Sequence, residues 1–210
     1  MKKIIISAAV KTLAAVLALI ILVFSALTLF APFKLAKLSR DAGAYNAAAS
    51  FAIIGYNRSK DINLLSEVTE YCILAKNNNK IIKYAEILAA HSEFESLCEQ
   101  KDKAAGDNIY ASYNQYIYGW YVTALYNKKH TDKAVETAKS VIKDQSDRSL
   151  YTPNNAMSYL VIAVYDSKDK ATARAILSHL ESLHAEMQGD LDMQNRIKGE
   201  IDLLSSLLDA

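Results

Sequence analysis

The chain has 210 residues, with 24 basic and 23 acidic side chains and two cysteines. Six of the basic residues, Lys2, Lys3, Lys11, Lys34, Lys37 and Arg40, fall in the first 40 positions with no acid among them, so the other 18 against 23 leave residues 41–210 near −5. That balance excludes the basic face that a nucleic-acid partner needs, and the chain beyond its apolar start is about one domain's worth, long enough to bury a core.

From Thr12 to Phe33 there is no charge and almost every residue is apolar. At about 1.5 Å per residue a helix of this length spans roughly 33 Å, enough to cross a hydrocarbon core of about 30 Å. Lys2 and Lys3 ahead of it resemble the start of a secretory signal. The run is longer than the usual 7–15-residue apolar core of such a signal, and the bulky Leu27–Phe33 end makes a poor cleavage site. Residues 1–11 are therefore read as a short basic tail and 12–33 as an uncleaved transmembrane signal anchor. Basic residues flank the span on both sides, so the positive-inside rule discriminates little. The lysines at the very start favour an N-terminus in the cytoplasm and a helical domain outside the cytoplasmic (inner) membrane. Pro32 suits a helix end or a kink.

The remainder reads as all-α. Proline occurs only at 32 and 153, no stretch alternates apolar and polar residues, and Ala, Leu, Lys and Glu are abundant. In chain order, the breaks predict helices over Lys34–Ala42, ended by Gly43, and over Tyr45–Asn57. The next is capped by Asp61, with Ile62, Leu65, Val68, Tyr71, Cys72 and Ala75 at spacings of three and four. Asn77–Asn79 ends it, and another helix covers Lys80–His91. Ser92 is expected to cap a further turn or two. A long helix is predicted from Asp107 or Asn108 to Tyr126, then one after Thr131 to Asp144. Thr152-Pro153 reads as a cap with proline in the first helical position, opening a helix to Asp166. The last two run to Gln188 and from Asp190 to the end. Cys72 and Cys98 have no zinc-like spacing. They read as small buried hydrophobes, or as a pair if the domain is exported.

Small residues recur after the polar turns: Ala48 and Ala52, Ala85 and Ala89, Ala134 and Ala138, Ala173 and Leu177. Helices paired through short turns in this way form a helical-hairpin solenoid. Tyr118–Tyr126, the turn Asn127–His130 and Thr131–Ile142 resemble a tetratricopeptide repeat: large residues and a small one, a polar turn, then alanine and a second small residue. Gly43-Ala44-Tyr45 with Ala48 is similar to the turn and second helix of another copy. The resemblance implies a TPR-like α-solenoid of about four hairpins over 34–189, with 190–210 as a C-terminal capping helix. It also implies a concave face that binds a protein or peptide segment without catalysis.

Tyrosine is the unusual component, with 13 in the chain. Tyr110, Tyr113, Tyr116 and Trp120 share one helical face, and Tyr118 and Tyr121 a neighbouring one. Such rings give rigid area with a polar tip and suit partner binding, or they pack a repeat core. With aromatics on more than one face, a few are expected at the surface. His91, His130, His179 and His184 have no metal-binding spacing. No nucleophile elbow, P-loop or dinucleotide fingerprint is present, and no cofactor or metal is expected. The sequence thus predicts a membrane-anchored protein-binding scaffold. A chaperone-like factor holding exported or membrane-complex proteins is the rival reading, and an enzyme with an unrecognised site the remote one.

Overall fold

The computed structural model describes residues 2–106, 112–141, 154–187 and 191–210, with the backbone alone for 2–10. All the regular structure among them is helical: α1 (Lys2–Phe30), α2 (Pro32–Asp41), α3 (Tyr45–Ser59), α4 (Ile62–Leu74), α5 (Asn78–Ala89), α6 (Phe94–Ala105), α7 (Tyr113–Asn127), α8 (Thr131–Val141), α9 (Ala156–Ser167), α10 (Lys170–Glu186) and α11 (Leu191–Asp209). They gather into two compact units, Met1–Ala75 and Lys76–Ala210.

Capping chemistry sets most of the starts. A side-chain oxygen of Asp61, Asn77, Ser112, Asn155 and Asp169 accepts the backbone N–H three residues on, at Leu64, Lys80, Gln115, Ser158 and Thr172. Each satisfies one of the orphan donors of a first turn. The asparagine run predicted to end a helix therefore begins α5. Ser92 makes no cap: Glu93 holds that position without a side-chain bond, and α6 continues to Ala105. The long helix predicted from 107 or 108 starts instead at Tyr113, because Ser112 is extended and caps it. Thr152 and Pro153 lie outside the described residues, and α9 starts after Asn155.

In the first unit α1 carries the apolar segment. Lys11–Phe30 is long and apolar enough to cross a membrane, and none of it is buried. The uncharged run is broken at Ala31, the N-cap of α2, and Pro32 is the first residue of that helix. Gly43, at φ 73°, makes the turn from α2 to α3. The Phe33 ring occupies the place where a Cβ on residue 55 would stand, so any larger residue there would force that ring to move. α2 packs on α3 and α3 on α4, with Leu65, Val68 and Cys72 at the centre.

In the second unit α7 is the hub. It packs against α5, α6, α8 and α9, while α9 also meets α8, α10 and α11, and α10 lies on α11. The alanines placed after the turns work as small spacers here: Ala85, Ala134, Ala138 and Ala173 are all buried. Ile117, Leu125, Leu160, Ile176, Ile197 and Leu204 fill the core. Truncating Leu160 to alanine is expected to cost about 2–5 kcal/mol, read from urea unfolding of the helical signal, whereas a cost under about 1 kcal/mol would contradict its central position.

Candidate functional site

An open groove of about 510 Å³ runs between α7 and α9, lined by Trp120, Thr123 and Asn127 on one wall and by Tyr159, Ile162, Ala163, Asp166 and Ser167 on the other. The lining positions keep helical spacing on each wall, three and four apart, so each helix contributes one face. On α9 that face is separate from the buried one made by Met157, Leu160, Val161 and Val164. The groove is of a size that takes a side chain or a short run of peptide. It is apolar at its middle, where Ile162 is 51% exposed, and polar at the end holding Asn127, Asp166 and Ser167.

Three contacts hold the walls in place. At the start of both helices Gln115, fully buried, accepts the N–H of Ala156 on its Oε1 at 2.9 Å. In the middle, a Cβ added at Gly119 would stand 2.5 Å from the Tyr159 ring, so glycine lets the helices approach. The same ring meets Trp120 edge-on, with centroids 5.7 Å apart. At the far end the Tyr126 hydroxyl bonds with Ser167 Oγ and donates to Asp169 Oδ2 at 3.1 Å. Burial raises the phenol pKa of Tyr159, and does the same for Tyr126, which the Asp169 carboxylate raises further. Both rings are therefore neutral donors at ordinary pH.

The six sequence-predicted aromatics do not form one surface. Trp120 lines the groove, and its Nε1 is buried without a hydrogen-bond partner among the described residues. Tyr113 and Tyr116 are half-buried neighbours, with centroids 6.2 Å apart, and Lys101 Nζ lies 5.1 Å from the Tyr113 ring. The Tyr113 N–H donates to Asp102 Oδ1 at 2.6 Å, which ties α7 to the end of α6. Tyr118 packs edge-on against Phe94 and has its pKa raised by burial. Tyr121 is only 5% exposed, with Lys133 Nζ 5.8 Å from its ring centroid. Tyr110 lies outside the described residues. Sequence patterning misses the opposite wall of Tyr159, Ile162 and Asp166. Its signal is present in α9, which is apolar on two faces where one suffices for a core helix.

Other reactive side chains lie inside the fold. Cys72 and Cys98 are both buried. Burial, with Asp102, Glu95 and Glu99 nearby, pushes the Cys98 thiol up to about 12, so it is neutral and a poor nucleophile. Burial lowers the His179 pKa, and Lys139 lowers it further. Among the described residues no three His, Cys, Asp or Glu side chains gather as a metal centre.

The attachment of the walls can be probed at Gly119 and at Asp169. Alanine in place of a helical glycine normally stabilises by about 1 kcal/mol. That gain is expected for Gly199→Ala, where the added methyl meets open space, and is expected to reverse at Gly119→Ala because the Tyr159 ring must shift. Thermal melting of both variants checks this, and a stabilised Gly119→Ala protein would contradict the close approach. Asp169 has its pKa held below the carboxylate value of 3.8 by the Thr172 hydroxyl and N–H, with the Tyr126 hydroxyl adding to them. A depressed folded-state pKa stabilises above the unfolded value and ceases to do so as pH falls through the folded one. Asp169→Asn should thus melt below the parent near neutral pH, with the gap starting to close below about pH 5 and closing further as pH falls through the lowered folded-state value; a gap that widens on acidification would contradict it. No protein-family model, curated protein or solved structure matches this chain.

Proposed function

We propose that this chain is a membrane-tethered, non-catalytic scaffold that binds a segment of another protein in the α7–α9 groove. The observation that carries the reading is a preformed groove with a tryptophan, a tyrosine and an exposed isoleucine in its walls. Such rigid aromatic anchors supply most of the binding energy at protein interfaces, and walls fixed before binding lose little entropy on contact. Buried alanines after the turns into α8 and α10, at Ala134, Ala138 and Ala173, support a TPR-like arrangement, in which α7 and α9 are first helices that share the ligand-facing side and α11 closes the stack. The length and apolar character of α1 support a single membrane anchor. Lys2 and Lys3 at its start favour a cytoplasmic N-terminus and a helical domain on the outer side of the cytoplasmic membrane. One localised groove fits a defined partner better than the broad apolar surface that holding many unfolded chains requires.

The test is site-specific photocrosslinking in native membranes. A photoreactive residue at Ile162 is expected to yield one discrete adduct, while the same residue at Arg174, exposed on α10, yields none. Trp120→Ala should weaken capture about 30-fold or more, the equivalent of about 2 kcal/mol for an interface anchor. Equal adducts at both positions, or capture indifferent to Trp120, would overturn the groove as the binding site. Binding of many unrelated unfolded proteins would turn the assignment to the chaperone-like reading.

A further inference from the structure

From Lys11 to Phe30 α1 is exposed, but its last two turns are not free of the fold. The Phe24 ring meets Phe51 of α3 edge-on, with centroids 5.8 Å apart. Five residues later in α1, the carbonyl of Leu29 accepts from Arg58 Nη1, seven residues later in α3. These two contacts tie the second half of α3 to the end of α1. Whatever depth Phe24–Phe30 takes in a bilayer, the Phe51–Arg58 part of α3 takes with it.

α3 is built for a particular depth. Residues 42–57 carry no charge. Ala47, Phe51 and Ile54 recur at spacings of four and three on the side that meets α1, and end at Arg58. All three are half-buried, so the stripe keeps open apolar surface beside Phe24, and Phe30 at the end of α1 is 87% exposed. Tyr45 and Tyr56 stand near the two ends of the helix, the kind of residue enriched at membrane–water boundaries. The charges around this corner are mostly basic. Lys34, Lys37, Arg58 and Lys60 are exposed, Asp41 is bonded to Arg40, and Asp61 is the cap of α4. Immersion in hydrocarbon would carry these lysines and arginines with it, at high cost. Full exposure to water would leave the Ala47–Phe51–Ile54 stripe and the end of α1 uncovered.

We propose that this corner of the first unit, the end of α1 with α2 and α3, seats in the headgroup layer of the bilayer that α1 crosses, with anionic phospholipid as its partner. The proposal rests on the reading of α1 as a membrane anchor. The apolar stripe meets the tops of the acyl chains, as interfacial helices do at depths of about 5–10 Å, and the basic side chains meet phosphates. The hydrocarbon-crossing part of α1 then ends near Phe24 and not at Phe30. The 29 residues of α1 span about 43 Å, longer than a core of about 30 Å, so the helix has the length for this shift. Lys11 then snorkels toward the opposite face.

The experiment uses the full chain in phosphatidylglycerol–phosphatidylethanolamine vesicles, with Trp120→Phe to remove the native tryptophan. New tryptophans are placed one at a time by Phe51→Trp, Tyr45→Trp and Leu17→Trp, and quenched with lipids brominated at acyl positions 6,7 or 11,12. Residues 45 and 51 should be quenched about twofold more by the shallow bromines, and residue 17 more by the deep ones. If residue 17 is quenched but 45 and 51 are untouched by either lipid, the corner stands in water and the seating fails while the anchor holds. If 45 and 51 respond most to deep bromines, the corner is in hydrocarbon and the seating also fails. An unquenched residue 17 removes the anchor and the seating together. Tyr45, part-exposed, reports even if Phe51→Trp misfolds. Changing Lys34 and Lys37 to Glu should halve the shallow quenching at residue 45, and no change would overturn the headgroup contact.

Discussion

The seam between α7 and α9 is the constraint on which the second unit depends. A buried glutamine is costly unless its amide is bonded, and a donor or acceptor left alone costs about 1–3 kcal/mol. Gln115 meets that demand by accepting the first N–H of α9, a group that no intrahelical bond serves. Its polar atom thereby fixes the register of the two helices as well as their distance. Gly119 under the Tyr159 ring and Tyr126 on Ser167 and Asp169 complete a three-point attachment along the length of α7. The groove exists because these points hold the helices together on one side and leave Trp120, Thr123 and Asn127 facing Ile162 and Asp166 on the other.

The aromatic richness of α7 is explained by its central position. A helix with neighbours on several sides must be apolar nearly all round, and tyrosine covers a wide side while its hydroxyl reaches a partner or solvent. Tyr121 and Tyr126 serve packing, Tyr118 seals the contact with Phe94 over Cys98, and Tyr113 joins α6 through Asp102. Trp120 is the one whose neighbours leave it open to a groove. The same reasoning separates α1 from the rest. From Lys11 to Phe30 it is the apolar helix that packing does not cover, and its last turns are drawn into the fold through Phe24 and the carbonyl of Leu29.

The sequence alone determined the helical class, the long apolar segment and most helix starts. These rest on local chemistry: periodicity of three and four, and a side-chain oxygen three residues ahead of the amide it caps. Asp61 was legible for that reason. Local signals also misled where two caps competed, as when Asn77–Asn79 read as an end and proved to be a start, and when Ser92 yielded to Glu93. The positions of the alanines after the turns were legible as small spacers because only small side chains permit close helix approach. Only the tertiary structure decided which aromatics meet the surface. The stripe on α7 is one helical pattern, and it is the placement of α5, α6, α8 and α9 around it that buries Tyr121 and leaves Trp120 open. Likewise, Tyr159 and Ile162 become a wall only when Gln115 and Gly119 bring α9 alongside, a pairing across about 40 residues that no local spacing encodes.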